Sequence, residues 1–271
     1  MKHILLLCMI IMLGACAAPG SLDVLKNLDK SPTLSTSPID DRLLAVPPLD
    51  GEKITIALYE FTDKTGQRKS SSNSSLSSAV TQGAEVWVIK ALQDVGNGSW
   101  FQVVERVGID NLIKERQLIR QTREVYEKDK EQGPTPLAPM LFAGLLLEGG
   151  VVGYDSDTAA GGAGARFLGV GASTEYRVDT VTVVMRLVSV NTGKVLLSIA
   201  TEKSVASYRS SADVFKFIDL GRENIEIENG YSINEPVNYA VRAAIEQGII
   251  EMVRVGVEKK LWSFKNLEIR G

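Results

Sequence analysis

The residues able to do chemistry in this chain gather at its start. Leu13-Gly14-Ala15 stand immediately before Cys16. A Leu and two small residues ahead of a Cys form the lipobox, at which bacterial lipoprotein processing adds diacylglycerol to the thiol and acylates the new amino terminus. Cys16 is therefore the expected lipid attachment site. Its diacylglycerol and N-acyl chain are the only bound groups expected, with no other cofactor and no metal. Lys2 and the apolar run Ile4 to Leu13 complete a signal peptide, and the run is shorter than the roughly 20 residues of a spanning helix. Ala17 rather than Asp follows the Cys, which directs a lipoprotein of a Gram-negative bacterium to the outer membrane, anchored from the periplasmic side.

Processing at Cys16 also removes chemistry. Cys8 and His3, the only other cysteine and the only histidine, lie in the signal. The mature chain then has no thiol pair for a disulfide, and it lacks the commonest general base and metal ligand. Asp155 with Asp157 and Glu226 with Glu228 are carboxylate pairs at the spacing of one strand face, read here as charge facing a lumen. Gly161-Gly162-Ala163-Gly164 resembles a phosphate cradle, but no Lys-Ser or Lys-Thr follows it. No catalytic residues are expected, and the chain is not expected to be an enzyme. With 33 acidic and 30 basic residues and no basic block, nucleic acid is not an expected partner.

The elements that must carry any function follow from periodicity. Residues 16–51, rich in Ser, Pro and Asp, read as a lipid-anchored tether. Residues 52–150 read as the first part of a periplasmic α/β domain. Lys53 to Phe61 alternates as a strand, and the serine-rich segment 67–78 reads as a surface loop. Val80, Ala84, Trp87, Val88 and Ala91 recur at helical spacing over Ser77 to Asp94, up to a Gly96-Asn97-Gly98 turn. Trp100 to Arg106 is a second strand, and Ile109, Leu112, Ile113 and Arg116 mark a second helix. Arg123 to Glu131 with Pro134, Pro136 and Pro139 reads as a surface excursion. Residues 178–201 read as a periplasmic hairpin turning at Asn191-Thr192-Gly193, with Val181, Val183, Met185 and Leu187 on one face. Residues 234–271 hold a C-terminal helix whose stripe is Val237, Val241, Ala244, Ile245, Ile249, Met252 and Val253.

Two stretches remain, 151–177 and 202–233, that alternate with period two yet supply no globular core. Leu168, Val170, Ala172 and Tyr176 oppose small or charged neighbours, as do Ala206, Tyr208, Ile225 and Ile227. Tyr154, Tyr176, Tyr208 and Tyr231 stand where an aromatic girdle belongs. Each arm approaches the roughly 9–11 residues that cross a bilayer as a tilted strand. The reading is two transmembrane β-hairpins with those eight residues facing lipid; a soluble sheet with one wet face gives the same period. Four strands close around nothing, and lipid rejects an open sheet edge. A membrane reading therefore requires a barrel shared among identical subunits.

Several motifs resemble one family in order along the chain. They are the lipobox at Cys16, Thr65-Gly66-Gln67, Trp100-Phe101 with Glu105-Arg106, Asn111-Leu112 with Glu115-Arg116, and Gly161-Gly162 with Gly164-Ala165-Arg166. Asn191-Thr192-Gly193, Phe215 with Phe217-Ile218-Asp219, and Gly230-Tyr231 with Asn234-Glu235-Pro236-Val237 continue the series. Together they are similar to the curli-secretion channel family, CsgG. The resemblance implies a nine-fold ring in which each subunit gives an α/β domain and two hairpins to one barrel of about 36 strands. It implies passage of unfolded curli-type amyloid or related fibre subunits to the cell surface without ATP hydrolysis. The implied partners are a periplasmic capping accessory protein, a cell-surface accessory or nucleation factor, and outer-membrane lipid.

The resemblance also implies a pore constriction in loop 67–78. Register from Thr65-Gly66-Gln67 to Ala79-Val80 places the family's constriction Tyr, Asn and Phe on Ser71, Ser75 and Leu76. Smaller, less aromatic side chains there imply a wider constriction and open the cargo to an amyloid or adhesin fibre other than curli. A longer C-terminal extension of relatives is expected to be missing after Gly271. The competing expectation is a non-pore periplasmic lipoprotein that scaffolds a surface organelle.

Overall fold

A computed structural model describes residues 34–37, 39–66, 83–127, 133–161, 174–210, 214–219 and 236–265. β1 (Ile54–Asp63) lies between β2 (Phe101–Glu105) and β3 (Leu145–Gly161) and runs parallel to both. From β3 onward the sheet is antiparallel, through β4 (Thr174–Ser189), β5 (Val195–Ser210) and β6 (Val214–Asp219). The result is one six-stranded sheet, order β2-β1-β3-β4-β5-β6, in a mixed α/β domain. Parallel β1 and β2 need a crossover, which contains α2 (Ala84–Gly98); the other helices are α1 (Asp40–Leu44), α3 (Ile109–Tyr126) and α4 (Pro236–Glu258).

Two helical stripes make the core. On α2, Ala84, Val88, Ala91, Leu92 and Val95 are buried against β1 and β2. Gly96, Asn97 and Gly98 then turn with φ of 60, 54 and 73°, and a Cβ on Gly96 would stand 2.6 Å from the Trp100 ring. On α4, all seven residues of the expected stripe are buried. They pack on β4 and β5, where Val181, Val183, Met185 and Leu187 are at most 1% exposed. Each such side chain contributes about 1.5–3 kcal/mol relative to exposure. The hairpin turn falls at 191–193, with Gly193 at φ 68°.

Two expectations need correction. The tether does not extend to residue 51, because the folded body begins at Ser37. Leu43 and Leu49 are buried, the Trp100 indole donates to the Pro47 carbonyl at 2.8 Å, and Leu49 bridges to Phe264. Asp50 N donates to Ser263 O at 2.9 Å, and Lys265 N to Pro48 O at 2.8 Å. Contacts with residues 263–265, far along the chain, hold a segment that has no period of its own.

α3 forms where expected but buries none of its residues. Its half-buried side turns to the proline-containing strap 134–138 rather than to the sheet: Arg116 donates to Ala138 O at 2.7 Å and Arg123 to Thr135 O at 2.8 Å. Finally, the divisions placed at 150/151, 177/178 and 201/202 fall inside β3, β4 and β5, which run through them unbroken.

Candidate functional site: the arm of the sheet and its foot

β1 stops pairing with β3 at Asp63 and Val151, but β3 continues to Gly161 with β4, β5 and β6 beside it. This extension is the arm. Its beginning is marked by a β-bulge: Val151 pairs with Val183 and Gly153 with Thr182, leaving Val152 as the extra residue. A bulge reverses which positions of a strand face which side. Val152 is 44% exposed, whereas Tyr154 pairs with Val181 on the core side. Tyr154 therefore does not share a face with position 176, although both tyrosines were expected in one aromatic girdle.

Register sorts the remaining positions. Tyr176 pairs with Tyr208 and with Ala159, Val178 with Ala206, and Ala206 with Ile218. Directly paired positions lie on one side of a pleated sheet, so register places positions 176, 206 and 208 on the face opposite α4. Register assigns the other face the paired positions 158 and 177, 177 and 207, and 175 and 209. β6 departs from this division, with Lys216 opposite Tyr208 and Phe215 opposite Arg209. Asp155 and Asp157, both exposed, were expected to face a lumen but share the face of position 176 at the arm's base, because the bulge shifts their register.

The foot of the arm is polar. The Tyr154 hydroxyl donates to the carboxylate of Asp179 at 2.8 Å, and Asp179 is 1% exposed. On the opposite face the Thr180 and Ser204 hydroxyls are 2.9 Å apart. Lys203 places its ammonium 5.9 Å from the centre of the Tyr239 ring on α4, a cation–π separation. Farther down, Arg186 Nε donates to the Glu148 carboxylate at 2.8 Å.

α4, which supports the arm from beneath, is itself clasped through buried charge. Arg242 Nε donates to Glu246 at 2.7 Å, and its Nη2 lies 3.0 Å from both carboxylate oxygens of Asp40. The Ser37 hydroxyl donates to Glu246, the Ser37 backbone N–H to Asp40 at 2.7 Å, and the Arg242 guanidinium stands 4.5 Å from the centre of the Trp87 ring. Burial raises the Glu246 carboxyl above its ordinary value, and the bonds from Ser37 and Arg242 oppose this without overcoming it. At Asp40 burial also pushes upward, but the Ser37 N–H and the Arg242 charge outweigh it and hold that carboxyl low.

Cys16, Ser71, Ser75, Leu76, Leu168, Val170, Ala172, Ile225 and Ile227 lie outside the described residues. The Tyr154–Asp179 bond and the Asp40–Arg242–Glu246 clasp were not anticipated. The clasp left one trace in the sequence: Arg242 and Glu246 stand four residues apart, beside an apolar stripe. Among the described residues no helix is long and apolar enough to cross a membrane, which says nothing about strands.

The family model described as "Curli production assembly/transport component CsgG" matches residues 43–270. The component of that name from Citrobacter koseri is 36% identical over 95% of this chain and 91% of its own length. Its Escherichia coli K12 counterpart is 35% identical over 98% of this chain and 92% of its own. The crystal structure of lipoprotein GNA1162 from Neisseria meningitidis covers 59% of this chain and 86% of its own, at 14% identity and a TM-score of 0.28, too slight a likeness to build on. A match of this extent across sequence and family model leaves one conclusion: the chain belongs to the CsgG family of curli production assembly/transport components.

Proposed function

We propose that this chain is one subunit of an outer-membrane export channel that carries unfolded fibre subunits from the periplasm to the cell surface. The observation that supports the reading best is the arm. Three strands continue past the body and β6 pairs beside them, with the tyrosine and small apolar positions on one face and positions 175, 177, 207 and 209 on the other. The edges at β3 and β6 would each leave backbone groups unpaired in lipid, at several kcal/mol per group. Neighbouring copies satisfy them by pairing β6 of one with β3 of the next, both ends being antiparallel within the sheet.

Exposed Asp155 and Asp157 set the lower limit of the hydrocarbon, which begins beyond Asp157. Acylated Cys16 holds the chain at the inner leaflet, and loop 67–78 with Ser71, Ser75 and Leu76 narrows the ring, nine-fold as in the family resemblance. Curli-type subunits or a related amyloid are the cargo. A capping protein below and a nucleation factor above are the partners, and confinement rather than ATP drives exit.

Single-channel recording of the acylated protein, extracted in detergent and placed in a planar bilayer, tests this reading. Large, uniform, stable steps are expected, and Ser71→Trp should lower their conductance. A silent bilayer with monomeric protein would sink the channel and favour a scaffold lipoprotein. Unchanged steps in Ser71→Trp would remove that residue from the constriction.

A further inference from the structure

The export reading makes no use of a cleft of about 440 Å³ between the middle of α3 and the strap that follows it. On the helix side stand Arg116, Arg120, Arg123 and Glu124; on the strap side, Pro134 to Leu137. The arginines are spaced i, i+4 and i+7, on one helical face. Like charges at that spacing destabilise a helix by about 0.2–0.5 kcal/mol per pair, so their grouping works against α3 unless something else gains from it.

Among the described residues their hydrogen bonds go to carbonyls rather than to carboxylates. Arg116 donates to Ala138 O at 2.7 Å, and Arg123 to Thr135 O at 2.8 Å and Pro136 O at 3.3 Å. These acceptors are neutral carbonyls, and each guanidinium has five N–H donors. The bonds therefore orient two forks and leave donors over. Among the described residues none of the three arginines is ion-paired to a carboxylate. Glu127 is engaged with the Thr135 N–H at 2.9 Å, so Glu124 alone offsets three guanidiniums within the lining.

The other wall is of a different kind. Pro134 and Pro136 have no N–H to offer, and Leu137 is apolar. A small inorganic anion needs only the charged wall; a chain with carboxylates and aliphatic groups uses both. The volume lies within the range of pockets that enclose a ligand, and guanidinium forks match carboxylates two bonds at a time. We propose that this cleft binds an acidic peptide segment of a partner protein, its carboxylates on Arg116, Arg120 and Arg123 and its aliphatic side chains against the strap. The site is separate from the arm and stands or falls independently of the channel.

Fluorescence anisotropy on the full acylated protein in zwitterionic detergent tests it, with a fluorescein-labelled hexapeptide of alternating Glu and Leu and a Lys-Leu counterpart as probes. The Glu-Leu peptide should bind and weaken with added salt. Arg120→Gln should weaken it by at least about tenfold; this side chain makes no bond to the strap among the described residues, so the strap stays in place. Glu124→Gln should tighten binding severalfold, a gain that misfolding cannot imitate. Equal affinity of wild type and Arg120→Gln, or equal binding of the Lys-Leu peptide, would overturn the proposal. So would inorganic phosphate displacing the probe at the concentration at which free glutamate does, which would mark a simple anion site.

Discussion

Arg242 concentrates the cost of the buried charges in one side chain. It is 5% exposed, against 3% for Glu246 and 18% for Asp40. Replacing one member of a buried pair leaves its partner's charge uncompensated, at about 3–5 kcal/mol. Arg242→Ala should lower stability by that much in urea denaturation; a loss under about 1 kcal/mol would mean that water reaches the carboxylates. The two carboxyls respond oppositely to pH. Glu246 is raised above 4.5 in the folded protein, so its contribution is fully present below that pH and fades as pH climbs through the raised value. Asp40 is lowered from 3.8, so its contribution is present above that pH and is lost as pH falls through the depressed value. Glu246→Gln should therefore remove part of the decline in stability between pH 4.5 and neutrality; parallel pH profiles for wild type and variant would contradict this. A third residue-scale constraint is Gly256, where a Cβ would lie 2.1 Å from the Trp262 ring. That ring is held by its bond to Val253 O at 2.9 Å and stands edge-on to Trp100. Gly256→Ala should cost about 1–3 kcal/mol through overpacking, measured as a lowered Tm.

At the scale of elements, the bulge at Val152 matters most. It lets β3 serve the core through Leu147 and Val151 below and then present Tyr154 to the same side above, while Ala159 joins the Tyr176 face. Without it every position from 153 onward would change sides. On the proposal that Cys16 is acylated and Cys8 leaves with the signal, Ala159→Cys in reconstituted protein should resist a water-soluble maleimide and Thr158→Cys should react. Equal labelling of the two would show that the arm does not divide lipid from water. α3 illustrates the opposite case, a helix of 18 residues with none buried, held by carbonyls on its strap.

The whole molecule combines a body whose helices α2 and α4 pack together with an arm whose edges one chain cannot close. Assembly should then depend on the arm while stability depends on the body. Tyr208→Arg places a cation on the face proposed to meet lipid, at up to about 1 kcal/mol per copy where an aromatic girdle sits and more toward the bilayer centre, a cost summed over every copy of the proposed ring. Sedimentation in mild detergent should show loss of the oligomer, with the thermal unfolding of the body unchanged. A ring that survives the substitution would put that face elsewhere than in lipid.

The sequence by itself determined the stripes of α2 and α4, the turn at Asn191-Thr192-Gly193 and the alternation of Val181 to Leu187, because each is a local pattern with its own period and punctuation. Family membership was legible for a related reason, as ordered short motifs. What only the tertiary structure decided were features that need a distant partner. Residues 37–51 looked like tether because their anchors, Trp100 and residues 263–265, are far along the chain. The sequence could not show that Tyr154 and position 176 fall on opposite faces, because a bulge is defined by the strand opposite, not by the strand that carries it. The clasp of Asp40, Arg242 and Glu246 joins residues 202 positions apart. Periodicity records which side of an element is apolar, but register and buried charge pairing exist only once two elements meet.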